Sequence, residues 1–128
     1  MAVTARAVIV DTHLVLWLRI NPLLLRRNER DVLAAASVRY VSVVSIWEIA
    51  ILMGLGRAPA DDRLLTVPDG FDLLSIALNH CTAYARLPRH HRDPFDRMLI
   101  AQAQAENVAL LTRDRALTAY GGLVTLLP

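Results

Sequence analysis

Hydrophobic positions along the chain fall into short runs that alternate between two periods. "ARAVIVD", residues 5–11, is a continuous apolar run rich in β-branched residues and closed by Asp11. Such a run predicts a strand buried on both faces. "THLVLWLRI" follows with helical spacing; Thr12 stands where a cap belongs, and Asn21-Pro22 breaks the chain. "NERDVLAAASV" predicts a second helix capped by Asn28, and "YVSV" a second strand. "SIWEIAILMGLG" predicts a helix opening at Ser45, with Glu48 at capping-box distance, and closing at Gly54 or Gly56.

The next stretch, "RAPADDRLLTVPDG", carries two prolines and three aspartates and predicts irregular chain with one short turn. "FDLLSI" predicts a third strand, and "ALNHCTAYARL" a helix stopped by Pro88. "PFDRMLIAQAQAEN" predicts a helix with proline at its first position and an end near Asn107. "VALLT" predicts a fourth strand, "RDRALTAYG" a short helix ended by Gly121-Gly122, and "LVTLL" a last strand. Short apolar strands alternating with helices predict an α/β fold: three layers, with a mostly parallel central sheet flanked by helices. No repeat or linker divides the chain, so a single domain over 1–128 is expected. Right-handed crossovers would bring the strand C-terminal ends to one edge, the edge where open α/β sheets bind ligands.

Composition narrows the picture. With 55% apolar and 20% charged residues in 128, the chain can build one core and is not disordered. Its longest apolar stretch, "VSVVSIWEIAILMGLG", contains Glu48 and two serines, so no membrane span is expected. The start, "MAVTARAVIVDTHLVLWL", is interrupted by Asp11 and His13 and lacks the pattern of a signal peptide. Cys81 has no second cysteine to pair with, which fits a reducing cytoplasm; its helical context predicts a small buried filler. The net charge is +2, and all fourteen basic residues are arginine. Arginine grips phosphate with a planar fork, so this usage fits a nucleic-acid partner, and it fits an arginine-favouring codon bias as well.

Four acids fall where strands end or helices begin. Asp11 closes the first strand, Glu48 lies early in the helix after the second, Asp96 is in the first turn of the helix from Pro94, and Asp114 follows the fourth strand. Each alone also reads as a helix cap or a capping-box partner. Asp93, directly before Pro94, fits the cap; Asp96, three residues later, faces back toward the sheet rim. As a set the acids mean more. Two like charges 4 Å apart cost about 1 kcal/mol in water and about 4 kcal/mol at an effective dielectric of 20. Such a cluster calls for a cation or a proton. Carboxylate oxygens and water suit Mg²⁺, and a hard ion of that kind serves phosphodiester hydrolysis.

"VIVDTHLVLWL", "SVVSIWEIAI", "LPRHHRDPFDRMLIAQA" and "LLTRDRALTAYG" come in the order and spacing of a PIN-domain protein. They most closely resemble the VapC toxins of bacterial toxin–antitoxin pairs, over nearly the whole chain. The resemblance implies a PIN-like fold and a cytoplasmic endoribonuclease that needs Mg²⁺ or Mn²⁺ and acts on single-stranded or structured RNA. It also implies a homodimer within a larger complex with a cognate VapB-like antitoxin, and no membrane association. Carried over position by position, the catalytic and metal-binding quartet falls on Asp11, Glu48, Asp96 and Asp114. Thr112 matches the hydroxyl residue that orients the last acid, and Thr12 is a second supporting hydroxyl.

His91, Arg92, Arg97 and Arg113 are candidate RNA contacts. Arg97 and Arg113 each adjoin a quartet acid and read equally as carboxylate partners or phosphate holders. His90 and His91 lack a helix-spaced histidine partner, so they are expected to shape a loop near RNA rather than to bind zinc. Trp17 and Trp47 are expected in core or dimer packing. Aspartyl-phosphate enzymes resemble this layout but need a lysine, which the chain lacks, and no glycine-rich phosphate loop is present. The alternative reading is a catalytically silent PIN fold that binds RNA or protein.

Overall fold

The computed structural model describes residues 7–121 and the backbone of 124–126. Ala5 and Arg6 of the first expected strand, Gly122, and Leu123 and Leu127 of the last lie outside the described residues. Five strands form one sheet in the order β3-β2-β1-β4-β5, and every pairing is parallel. They are β1 (Ala7–Val10), β2 (Val38–Ser42), β3 (Asp72–Leu74), β4 (Ala109–Thr112) and β5 (Val124–Leu126). The helices are α1 (Thr12–Ile20), α2 (Arg27–Ala35), α3 (Val43–Gly54), α4 (Leu78–Arg86) and α5 (Pro94–Glu106). The acidic stretch after α3 contributes one 3₁₀ turn, Asp62–Leu65, and Arg115–Tyr120 forms another.

Alternation along the strands supplies both faces. Val8 and Val10 pack with Leu14, Val15, Ile49 and Leu111 on one side of the sheet. Ile9 and Leu110 pack with Leu99, Ile100 and Leu117 on the other. Each such side chain, fully buried, contributes about 1.5–3 kcal/mol. The direction of strand succession reverses between β1 and β4, which pair in register from Val8↔Ala109 to Val10↔Leu111. A crevice opens beyond the strand ends at such a reversal.

Several helix starts differ from the sequence expectation. α1 is capped by Asp11, not Thr12: Asp11 Oδ1 accepts the His13 amide at 2.9 Å. β2 runs straight into α3, so the last residue of the strand, Ser42, caps the helix by accepting the Val44 amide at 3.1 Å. Ser45 is instead buried inside α3 and accepts the Thr12 hydroxyl at 2.9 Å. α2 begins at Arg27 rather than after Asn28, because the Glu29 carboxylate turns back to accept the Arg26 amide at 2.7 Å. Cys81, expected as buried filler, is exposed: it lies on the outer side of α4, whose buried residue is His80. Trp47 is also exposed, on the outer side of α3.

The expected ends hold. Gly56, at φ +70°, closes α3 with paired bonds from Arg57 N to Leu52 O and from Gly56 N to Met53 O. Asn107, at φ 54°, does the same for α5.

Candidate active site

The β1–β4 reversal sets two acids side by side. Asp11 extends from β1 with its amide bonded to Leu111 O at 3.0 Å, so its position is fixed by the sheet. Its side chain is buried, 5% exposed. Oδ2 accepts the Thr112 hydroxyl at 2.6 Å, and the same hydroxyl oxygen accepts the Asp114 amide at 3.0 Å. Thr112 thus couples the two acids. Burial alone would raise the Asp11 pKa; the bonds from His13 and Thr112 outweigh it and hold the carboxyl below its ordinary value. Asp114 caps the following 3₁₀ turn through the Ala116 amide at 2.9 Å. Asp11 and Asp114 line a cavity of about 290 Å³ with His13, Leu14, Trp17 and Arg113.

The other two acids arrive on helices. Asp93 caps α5 through the amides of Phe95 and Asp96, and Pro94 supplies the first helical residue. Asp96 is therefore held in the first turn, facing the strand ends. Burial, then the charges of Asp11 and Asp93, push the Asp96 pKa up to about 6, against the pull of His91. Glu48 rises from α3; burial raises its pKa more than the Thr12 hydroxyl lowers it, and Asp93 and Asp11 act with burial. Glu48 Oε1 is buried with no hydrogen-bond partner. His13, exposed above the group, has its pKa raised first by Asp11 and further by Glu48 and Asp96. Asp11, Glu48, Asp96 and His13 thus act on one another electrostatically.

His91 joins them. Its Nε2 lies 2.9 Å from Asp96 Oδ2. His91, Asp96 and Asp114 each offer one donor atom, and all three atoms lie within 4.8 Å of one another. Asp11 and Glu48 stand outside that tight group, and both Asp11 oxygens are engaged by hydrogen bonds. The sequence reading assigned His91 to a loop near RNA; its only cue to this place is its spacing, two residues before the α5 cap. His13, two residues past Asp11, was likewise not singled out.

The flanking arginines separate. Arg113 donates to Glu29 Oε2 at 2.6 Å and to Leu24 O at 2.7 Å, and its guanidinium lies 4.5 Å from the Trp17 ring centroid. Of its two expected roles the structure supplies carboxylate pairing, because Glu29 is wholly buried and takes the fork. Arg97 pairs with no carboxylate among the described residues. It donates to Pro88 O at 2.9 Å and to the Tyr120 hydroxyl at 3.1 Å, and lies 4.9 Å from the Tyr84 ring centroid. Arg92 is exposed beside His91.

The sequence pattern of the PIN domain family matches residues 8–123. The chain belongs to the PIN domain family. No curated protein matches it by sequence. Among solved structures it is similar to VapBC2 from Rickettsia felis, solved bound to a DNA fragment from the promoter. That pair aligns at a TM-score of 0.71 and 13% identity, over 94% of this chain and 97% of that one. A toxin–antitoxin complex from Klebsiella pneumoniae aligns at 0.63 and 18%, over 92% and 95%. FitAcB from Neisseria gonorrhoeae aligns at 0.60 and 19%, over 91% and 95%. At these identities the likeness is one of fold, and it is a PIN fold.

Proposed function

We propose that this PIN domain is a metal-dependent endoribonuclease and the VapC-type toxin of a type II toxin–antitoxin pair. The observation that carries the reading is the grouping of Asp11, Glu48, Asp96 and Asp114 without an arginine paired to any of them. Among the described residues none of the four forms an arginine salt bridge; their charged contacts are to His13 and His91. Asp96 at about 6 and the orphaned Glu48 Oε1 are what an acidic site prepared for a cation looks like. Carboxylate oxygens with one imidazole suit Mg²⁺ and, with the nitrogen, Mn²⁺ better.

In this reading Asp96, Asp114 and His91 hold the ion, and Asp11 and Glu48 add charge behind them. When bound, the ion supplies Lewis acidity that polarises phosphoryl oxygens and acidifies water. Thr112 keeps Asp11 ionised and fixes the Asp11–Asp114 spacing. Glu48 Oε1, which carries no hydrogen bond, is a free proton acceptor at the rim. The net reaction is addition of water across one P–O bond of RNA.

A protein partner is part of the proposal. Trp47 and Ile51 on α3 and Leu55 just past its end are exposed at four-residue spacing, with Phe95 edge-on to Trp47 at 5.0 Å. Such a row favours burial against a second chain, whether a copy of this one or a VapB-like antitoxin. No helix among the described residues is long and apolar enough to cross a membrane, and the unpaired Cys81 fits a reducing cytoplasm.

Purified protein tests this directly. RNA cleavage is expected with Mg²⁺ or Mn²⁺ and not with chelator. Asp11→Asn and Asp96→Asn should each slow it by about 10²-fold or more, with circular dichroism unchanged. RNA bound tightly but left intact with every divalent metal would instead establish the silent binding module.

A further inference from the structure

A second cavity, of about 630 Å³, has His91 in its wall. It is lined by Tyr84 from α4, by Arg89, His91 and Arg92 from the connection between α4 and α5, and by Arg97 from α5. Among the described residues that line it, three are arginines and none is an acid. Arg97 is only 9% exposed, and among the described residues its polar and ring contacts are to neutral groups: a carbonyl, a phenol and an aromatic ring. Neither Arg89, Arg92 nor Arg97 forms a salt bridge among the described residues. Asp93, the nearest acid in sequence, is turned to the α5 amides.

A buried charge without a counter-ion is costly. The chain avoids that cost elsewhere: Arg113, beside Asp11 and Asp114, is matched by the buried Glu29. Arg97, buried without a carboxylate among the described residues, and the exposed Arg89 and Arg92 around the same hollow together form a site suited to an anion. The arginine fork fits a phosphate in two-point fashion. Position selects which phosphate. His91 is shared: its Nε2 contacts Asp96 at the acidic rim, and its ring lines the arginine cavity. An anion here adjoins whatever lies over the acids.

We infer that the Arg89–Arg92–Arg97 cavity is a phosphate subsite that binds the RNA backbone beside the bond to be cut. The inference rests on the ribonuclease reading and adds to it where the strand runs: from the acidic rim, past His91, toward α4. Arg97 is the fixed, buried element, and Arg89 and Arg92 are the exposed arms that close on the backbone.

The test is binding of a fluorescently labelled single-stranded RNA oligonucleotide by anisotropy, in EDTA, so that neither metal nor cleavage contributes. The double substitution Arg89→Ala/Arg92→Ala changes only exposed side chains. It should weaken binding at least tenfold and lower the salt slope by about 1.4, two contacts at about 0.7 each. Arg27→Ala/Arg30→Ala, on exposed positions of α2, should change neither. If wild-type protein cuts RNA and the double variant binds it as tightly as wild type, the subsite is wrong and the ribonuclease reading stands. If the double variant keeps RNA and loses a purified antitoxin instead, the cavity belongs to a protein partner and the inference fails. If wild-type protein neither binds nor cuts RNA, both readings fall.

Discussion

Asp96 concentrates the electrostatic problem of this fold in one side chain. It is held in the first turn of α5 by the Asp93 cap, half-buried, and faces Asp11 with Asp93 behind it. A carboxyl pKa raised from 3.8 to about 6 means that the metal-free folded state binds the proton more tightly than the unfolded chain. Stability in chelator should therefore fall as pH rises from about 4 to about 6, and stay low above that. Asp96→Asn removes the charge and keeps the shape. At pH 7.5 in EDTA it should stabilise the protein by roughly 1–3 kcal/mol, read from urea denaturation. Added Mn²⁺ should reverse the ranking, stabilising wild type only. A variant less stable than wild type in EDTA would mean that Asp96 is held by favourable contacts rather than strained by its neighbours.

At the scale of elements, one long-range pair fixes the start of a helix. Glu29 accepts the Arg26 amide at the head of α2 and takes the Arg113 fork from the segment after β4, 84 residues away. Burial raises the Glu29 pKa; Arg113 and the Arg26 amide outweigh it and bring it below 4.5. The stability this supplies is complete above the unfolded value of 4.5 and is lost as pH falls through the lower folded value. Arg113→Ala leaves Glu29 charged and buried, and should cost about 3–5 kcal/mol at pH 7, with much of the difference from wild type disappearing below pH 4. A small, pH-independent loss in denaturant titrations would show that the pair does not hold the two segments. Nothing local announces this contact, which is why the sequence placed the α2 cap at Asn28 and left Arg113 open between two roles. Where the signal is local the sequence sufficed: Asp93-Pro94 opened α5, and the left-handed Asn107 closed it, as expected. The α3 start failed because Ser42 and Ser45 both suit a cap in sequence; only the direct run of β2 into α3 selects Ser42.

The whole molecule is a parallel sheet whose strand succession reverses between β1 and β4, and Asp11 and Asp114 stand at that reversal, joined through Thr112. The parallel sheet follows from apolar runs of strand length, helical spacing between them, and the hand of parallel crossovers. Asp11, Asp96 and Asp114 were legible as candidates because each stands next to an element boundary, whereas Glu48 lies inside α3 and its assignment comes from the family resemblance. The place of His91 was not legible, because it depends on how the Pro88–Asp93 connection folds back over α5, and no periodicity governs a connection of that length. Of the arginine cavity the sequence offered His91, Arg92 and Arg97 as candidate RNA contacts; that Arg89 and Tyr84 join them depends on the same connection. The account stands or falls on one cation site built by side chains from β1, α3, α5 and the β4 end, completed by His91. Mn²⁺ binding, followed by the loss of its free-ion paramagnetic resonance signal, reads that site without any substrate. Wild-type protein should bind Mn²⁺ tightly, Asp96→Asn and Asp114→Asn should each weaken it at least tenfold, and His91→Asn should weaken Mn²⁺ more than Mg²⁺ in competition. Mn²⁺ affinity unchanged in Asp96→Asn and Asp114→Asn, with both proteins folded, would contradict it.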